Sequence, residues 1–161
     1  MANVIIMTIM TMVSVAAILW VCKMHEILGY NNELCRINIT AIYLKMYHHA
    51  GGLIISNGES AQNRINAFLE LTNPESDKIK SYRDELKDSL KLENRTINVG
   101  KRIMNIAVND LLELKDDVNR IKTKTKFDIF DIAGARTHAD IVIDNINKIL
   151  DEIKSDEDSN A

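Results

Sequence analysis

The first 22 residues carry no charged side chain, and all 20 basic and 23 acidic side chains fall at or after Lys23. Inside that stretch, Val4 to Cys22 reads VIIMTIMTMVSVAAILWVC, interrupted only by Thr8, Thr11 and Ser14, each of which can hydrogen-bond back to its own helix. At about 1.5 Å per residue, a helix of this length matches the ~30 Å hydrocarbon layer of a bilayer. Trp20 stands where indoles favour the membrane interface, and Lys23 closes the run. The expectation is a transmembrane anchor over 1–22, with membrane lipid as the partner of Val4, Ile5, Ile6, Ile9, Val13, Ile18, Leu19 and Trp20. A cleaved signal peptide fits less well, because no basic segment precedes the apolar run and no small-x-small site closes it. A lipoprotein site would place a small residue before Cys22, where Val21 stands. The core helix of a soluble domain is the third alternative.

Only the α-amino group precedes the span, whereas Lys23, Arg36 and Lys45 follow it, so the positive-inside rule favours a cytoplasmic body. Cys22 and Cys35 would lie about 20 Å apart on one helix, too far for a bridge between them. One proline and six glycines argue against a turn-rich sandwich or barrel, and two cysteines exclude a disulfide scaffold. A net charge of −3 gives no reason to expect nucleic acid.

Past the span, residues 23–58 read as a juxtamembrane helix and a glycine-containing connection. Ile27, Leu28, Leu34, Cys35, Ile39, Ile42, Tyr43 and Met46 recur there at spacings of three, four and seven. Gly51-Gly52 and Asn57-Gly58 have the character of breakers, so the expected helix is interrupted. Residues 59–154 should form a helical bundle, and 155–161 an acidic disordered tail. Glu59 to Leu71 forms a short helix with Ile65, Phe68, Leu69 and Leu71 on one side. Asn73 then caps a new helix with Pro74 in its first position. Ile79, Tyr82, Leu86 and Leu90 give it an apolar stripe, a kink or end is expected over Asn94 to Gly100, and Ile103, Ala107, Leu111, Leu114, Val118 and Ile121 resume in a pattern close to a coiled-coil seam. A last helix carries Ile129, Ile132, Ala139, Val142 or Ile143, Ile146, Ile149 or Leu150, and Ile153, with Gly134 inside the pattern at a close crossing.

Residues 74–126 carry a net charge of +3 and residues 127–161 a net charge of −6. Oppositely biased neighbours favour an antiparallel hairpin turning near Lys122 to Asp128, driven by burial of branched side chains at about 1.5–3 kcal/mol each. The expected fold is therefore all-α: an N-terminal transmembrane helix followed by a small antiparallel helical bundle or coiled-coil-like hairpin. Its expected interaction face comprises Ile103, Ala107, Leu111, Leu114, Val118 and Ile121, with Val142, Ile146, Ile149 and Ile153.

Signals for chemistry are sparse. His48 and His49 are adjacent, and neighbours on a helix diverge by about 100°, so they do not chelate one metal without a third ligand such as His138 or Asp140. Asp116-Asp117 and Asp151-Glu152 are adjacent pairs on amphipathic helices, which ordinarily face water. Neither HExxH nor a phosphate-binding GxxxxGK[ST] loop occurs. No cofactor and no enzymatic activity are expected. Lys122, Lys124 and Lys126 could meet an anion or lipid headgroup, or serve as a plain interhelix connection.

The function expected from these features is that of a single-pass anchored helical protein acting through protein–protein contact, as an adaptor, assembly factor or regulator. Its partner would be a homo-oligomer or another helical protein. One alternative is a virus- or phage-encoded membrane factor for lysis control, host exclusion or virion assembly, which the A+T-leaning usage of 23 Ile and 16 Asn accompanies. A second is a helical sensor or transport accessory domain.

Overall fold

The computed structural model describes residues 2–72, 77–125 and 134–159, with side chains over 6–72, 80–125 and 134–156. It is all-α: α1 runs Ala2–Leu71, α2 Asp77–Thr125 and α3 Ala135–Ser159, with no strand among the described residues. The Asn73-Pro74 start signal, Lys126, Ile129 and Ile132 lie outside the described residues, as do the side chains of Val4, Ile5 and Ile79.

An alternation of three and four residues organises every helix. On α1 the inward positions are Ile27, Tyr30, Leu34, Ile37, Ala41, Leu44, His48, Gly51, Ile55, Gly58, Gln62, Ile65, Leu69 and Thr72, each buried or half-buried. On α2 the same step runs from Arg83 to Thr125, and on α3 through Ala135, Ala139, Val142, Ile146, Ile149 and Ile153. This is the heptad pattern by which helices interlock side by side.

The helices contribute to two compact units. Unit 1 combines Met1–Ala41 with Glu113–Ile149. Its buried side chains include Leu34, Ile37, Val118, Val142 and Ile146. Here α1 and α3 run parallel, because Asn31 and Asn38 meet His138 and Asn145, two pairs each separated by 107 residues. Gly134 sits just before α3, and its carbonyl accepts the His138 amide at 2.9 Å, so it opens that helix and does not lie within it as a crossing point. An ion pair joins Lys122 to Asp140. Both side chains are more than a third exposed, which limits the pair to tenths of a kcal/mol.

Unit 2 combines Ile42–Leu112 with Leu150–Ala161. In this unit α1 and α2 run antiparallel and their backbones touch. A Cβ placed on Gly51 would lie 2.9 Å from the Gly100 carbonyl oxygen, and one placed on Gly100 would lie 2.8 Å from that of Gly51. One Cβ on Gly58 would lie 2.7 Å from Ile97 Cγ1, the space that Ile97 fills instead. Farther along, Gln62 Nε2 donates to Asn94 Oδ1 at 2.7 Å. These glycines, expected to break the helices, are the thin points that let them approach. None has a positive φ, so close contact and not backbone freedom accounts for them.

The end of α1 is closed from outside its own sequence. No basic residue lies in its last turn. Arg83 of α2 supplies one: its Nη1 donates to the Leu69 carbonyl at 2.6 Å, to the Thr72 carbonyl at 2.5 Å and to Thr72 Oγ1 at 3.0 Å. These are the carbonyls a helix end leaves unsatisfied, at the pole that attracts cations. Arg83 therefore takes the inward position next to the expected Tyr82, which is 65% exposed.

Other expectations change in the same light. The kink at Asn94 to Gly100 is absent, since α2 is continuous there. Phe68 and Leu71 point outward, and Ile65 and Leu69 face in. The acidic end is helical through Ser159, where the tail was expected to be without structure. On α1 the packed positions begin at Ile27, within the expected juxtamembrane helix and before the residues 59–154 expected to form the bundle.

Two stability predictions follow from unit 2. Replacing Gly100 with Ala should destabilise the chain by about 1–3 kcal/mol, because the added carbon meets backbone. Gly52→Ala meets nothing within 4 Å, and should stabilise by about 0.5–1 kcal/mol through helix propensity. Denaturant unfolding of the full chain in detergent measures both, and equal effects at the two sites would contradict the backbone contact. Arg83→Met should cost about 1–2 kcal/mol, with Lys recovering only part because it lacks the guanidinium fork. Faster amide exchange over the last turn of α1 is the accompanying signature.

Candidate functional site

The part of α1 that lies before the packed region differs from everything else in the chain. From Ile6 to Cys22 every described side chain is exposed, all around the helix. None of its apolar run is buried. Thr11 Oγ1 donates to the Met7 carbonyl at 2.7 Å and Ser14 Oγ to the Met10 carbonyl at 2.9 Å. Their hydroxyls thus need no water, which is the condition for polar side chains in an apolar phase. Ile6, Ile9, Val13, Ile18, Leu19 and Trp20 all belong to this exposed sleeve. Among the described residues, one helix is therefore long and apolar enough to cross a membrane.

Where the sleeve ends, a polar cluster begins. Lys23 Nζ pairs with Glu26 Oε2 at 2.8 Å, and Tyr30 Oη donates to Glu26 Oε1 at 3.0 Å. The bond to the Glu26 carboxylate holds the Tyr30 phenol above its ordinary value, with partial desolvation adding to the rise. Neutral Tyr30 is the donor, so this contribution to stability is complete below the ordinary phenol range near pH 10 and is lost as pH rises through the elevated folded value.

The expected interaction face lies largely inside the chain. Ala107, Leu111, Val118 and Ile121 are buried, as are Val142, Ile146, Ile149 and Ile153, while Ile103 and Leu114 are half-buried. They are divided between the interiors of the two units, with Ile103, Ala107, Leu111 and Ile153 in unit 2 and the rest in unit 1. The apolar series read on residues 27–46 separates into two faces: Ile27 and Leu34 are buried, whereas Leu28, Cys35, Ile39, Ile42, Tyr43 and Met46 stay exposed.

Among the expected anion contacts, Lys122 is engaged with Asp140 and Lys124 is exposed. With Lys124, it lies in the last turn of α2, where cations favour the helix dipole. A shallow cavity of about 300 Å³ beside it is lined by Asn119, Lys122, Thr123 and Arg136. His48 is buried on the inner face of α1 and His49 is exposed, as the 100° divergence requires. Both border an open cavity of about 610 Å³ with Glu59, Met104 and Asp156. His138 is occupied with Asn31 at 3.1 Å and lies 4.0 Å from Cys35 Sγ. No cluster of three or more His, Cys, Asp or Glu side chains that could hold a metal occurs among the described residues.

Sequence reasoning missed the asparagine contacts between α1 and α3. Their signal was present in phase: Asn31 and Asn38 are one heptad apart, as are His138 and Asn145. No protein family, characterised protein or solved structure matches the chain.

Replacing Glu26 with Gln should return Tyr30 to the ordinary phenol range. Absorbance titration of tyrosinate in the full chain, with Tyr30→Phe identifying the transition, checks this. An unchanged Tyr30 midpoint in the Gln variant would separate the phenol from the carboxylate.

Proposed function

We propose that this protein is a single-pass membrane-anchored helical scaffold that works through protein–protein contact, as an adaptor, assembly factor or regulator. The observation that carries the reading is the contrast along α1. One segment is apolar on every side and wholly exposed, and the same unbroken helix then continues into a packed core. A helix apolar all round is stable only when something apolar surrounds it, and none of the described residues covers 6–22.

The continuity of α1 favours an anchor over a cleaved leader, because the helix passes through the boundary at Cys22 and Lys23 without a break. Basic residues at Lys23, Arg36 and Lys45 favour a cytoplasmic body. Contact as the mode of action is supported by the exposed apolar side chains on the packed part of the chain. Leu28, Ile39, Ile42, Tyr43, Met46 and Tyr47 lie on a helix whose inner face is already occupied.

The test is flotation of the full chain with phospholipid vesicles, followed by alkaline extraction. Wild-type protein should stay with the vesicles at its full mass. The pair Ile9→Lys and Val13→Lys should move it to the soluble fraction, since each lysine at the centre of a span costs about 2.5–3.5 kcal/mol. Protease protection of the C-terminal end in sealed vesicles then reports the side on which the body lies. A soluble wild-type chain, or a membrane form shortened by the first 22 residues, would sink the reading.

A further inference from the structure

We propose that Cys35, His138 and Asn31 of unit 1 form a modification site at which the Cys35 thiol exchanges with low-molecular-weight disulfides, with His138 as its base and Asn31 positioning that base. The site stands on contacts within unit 1 and does not depend on the membrane reading. Asn31 and Cys35 are four residues apart and so share one side of α1. His138 comes from α3, and all three residues belong to unit 1. Its Nδ1 lies 3.1 Å from Asn31 Oδ1 and its Nε2 lies 4.0 Å from Cys35 Sγ. One imidazole thus bridges an amide and a thiol, the order of nucleophile, base and orienting group that activates cysteines on unrelated folds.

The orienting contact decides which nitrogen is the base. Asn31 Oδ1 has no hydrogen to give, so Nδ1 carries the imidazole proton and donates it. In the neutral ring Nε2 then keeps its lone pair, and that nitrogen faces the thiol. Resting contacts of this kind are often long and tighten only on reaction. The exposed Cys35 side chain needs only a small rotation to close this one. His138 has less freedom. It and Asn31 are half-buried, and the α3 residues around it, Ala135, Ala139 and Val142, are fully buried. A ring held in this way presents the same nitrogen to the same sulfur.

Exposure and chemistry select the reactant. Cys35 is open to solvent, so a small molecule reaches it directly. Attack on a disulfide needs a thiolate and places no charge on oxygen, so these three residues suffice, whereas acyl chemistry would also need donors for an oxyanion. In the step, the Cys35 S–H proton passes to His138 Nε2 and a bond forms between Cys35 Sγ and one sulfur of the disulfide. The disulfide's own S–S bond breaks, its electron pair leaving on the other sulfur. That thiolate takes the proton from His138 and departs as a thiol. Cys35 is oxidised, one reactant sulfur is reduced, and a free thiol reverses the exchange.

Full-length Cys22→Ser protein retains Cys35 as its single cysteine. Folded in detergent, it is mixed with dipyridyl disulfide, and the released pyridinethione is followed by absorbance. Cys35 should react about tenfold faster in the folded chain than in the same chain unfolded in urea, with glutathione in each solution correcting for solvent. His138→Gln should lower the folded rate about tenfold with helicity unchanged, since Gln keeps a donor for Asn31 but has no basic nitrogen. Asn31→Leu should lower it too, and Asn31→Asp should retain it, because a carboxylate still accepts from Nδ1. A folded rate equal to or below the urea rate overturns the proposal, whether or not the variants fold. So does a His138→Gln chain that keeps both its helicity and its rate.

Discussion

Two helix backbones touch at Gly51 and Gly100, and the packing of unit 2 is arranged around that contact. Glycine in mid-helix is unfavourable by about 1 kcal/mol relative to alanine. The loss is offset only where a side chain would hold the helices apart. The Gly51 and Gly100 carbonyls stand within 3 Å of where the opposite Cβ would be, so neither position admits one without a shift. One heptad along α1, Gly58 repeats the device in a softer form by receiving the Ile97 side chain. Gly29 and Gly52 meet nothing, so glycine alone does not identify such a contact. Phase does: Gly51 and Gly58 occupy inward positions of the alternation, and Gly52 does not.

Apolar burial holds these helices together but leaves their direction and register loosely determined, since one branched side chain fits against another in many alignments. Polar contacts at the margins of the core narrow the choice. In unit 1, Asn31 with His138 and Asn38 with Asn145 fix a parallel alignment of α1 and α3 in steps of one heptad. In unit 2, the Lys45–Glu152 ion pair has the same separation of 107 residues. Being half-exposed it adds little stability, yet a slipped alignment would separate its charges. Arg83 plays a different part, joining the end of α1 to α2 through carbonyls that α1 cannot satisfy itself.

How much of this was legible depended on whether one face dominated. The stripes on α3 and on Ala107 to Ile121 could be read directly, because their opposite faces are charged. Residues 27–46 could not, since apolar side chains occupy two faces and spacing alone merges them. Gly51, Gly58 and Gly100 have the character of breakers because their local propensity is poor, and tertiary contact overrides it. Tyr82 looked like a core residue and Arg83 a surface one until the α1 carbonyls were placed beside the guanidinium. The exposed sleeve of residues 6–22 was the most legible element, as absence of charge needs no register to be noticed.

In the proposed anchor, the boundary at Lys23 is where the helix would pass from an apolar surrounding to water without stranding a charge. An isolated ammonium one turn beyond a lipid-facing segment would be partly desolvated, and so would an isolated carboxylate. Here the first cation and the first anion neutralise each other three residues apart, and the second carboxylate oxygen takes the Tyr30 hydroxyl. Tyr30 is also the second inward position of the packed alternation, with Ile27 before it. Glu26 therefore bonds on one side to the residue that ends the uncharged run and on the other to one that begins the core. In the proposed anchor, the chain changes solvent and acquires its helical packing within this single stretch of about two turns, Lys23 to Tyr30. A break in α1 there would leave the first packed side chains free to rotate relative to the span. An unbroken helix carries the phase of Ile27 and Leu34 back to Thr11 and Ser14, and so decides which side of the span those hydroxyls occupy.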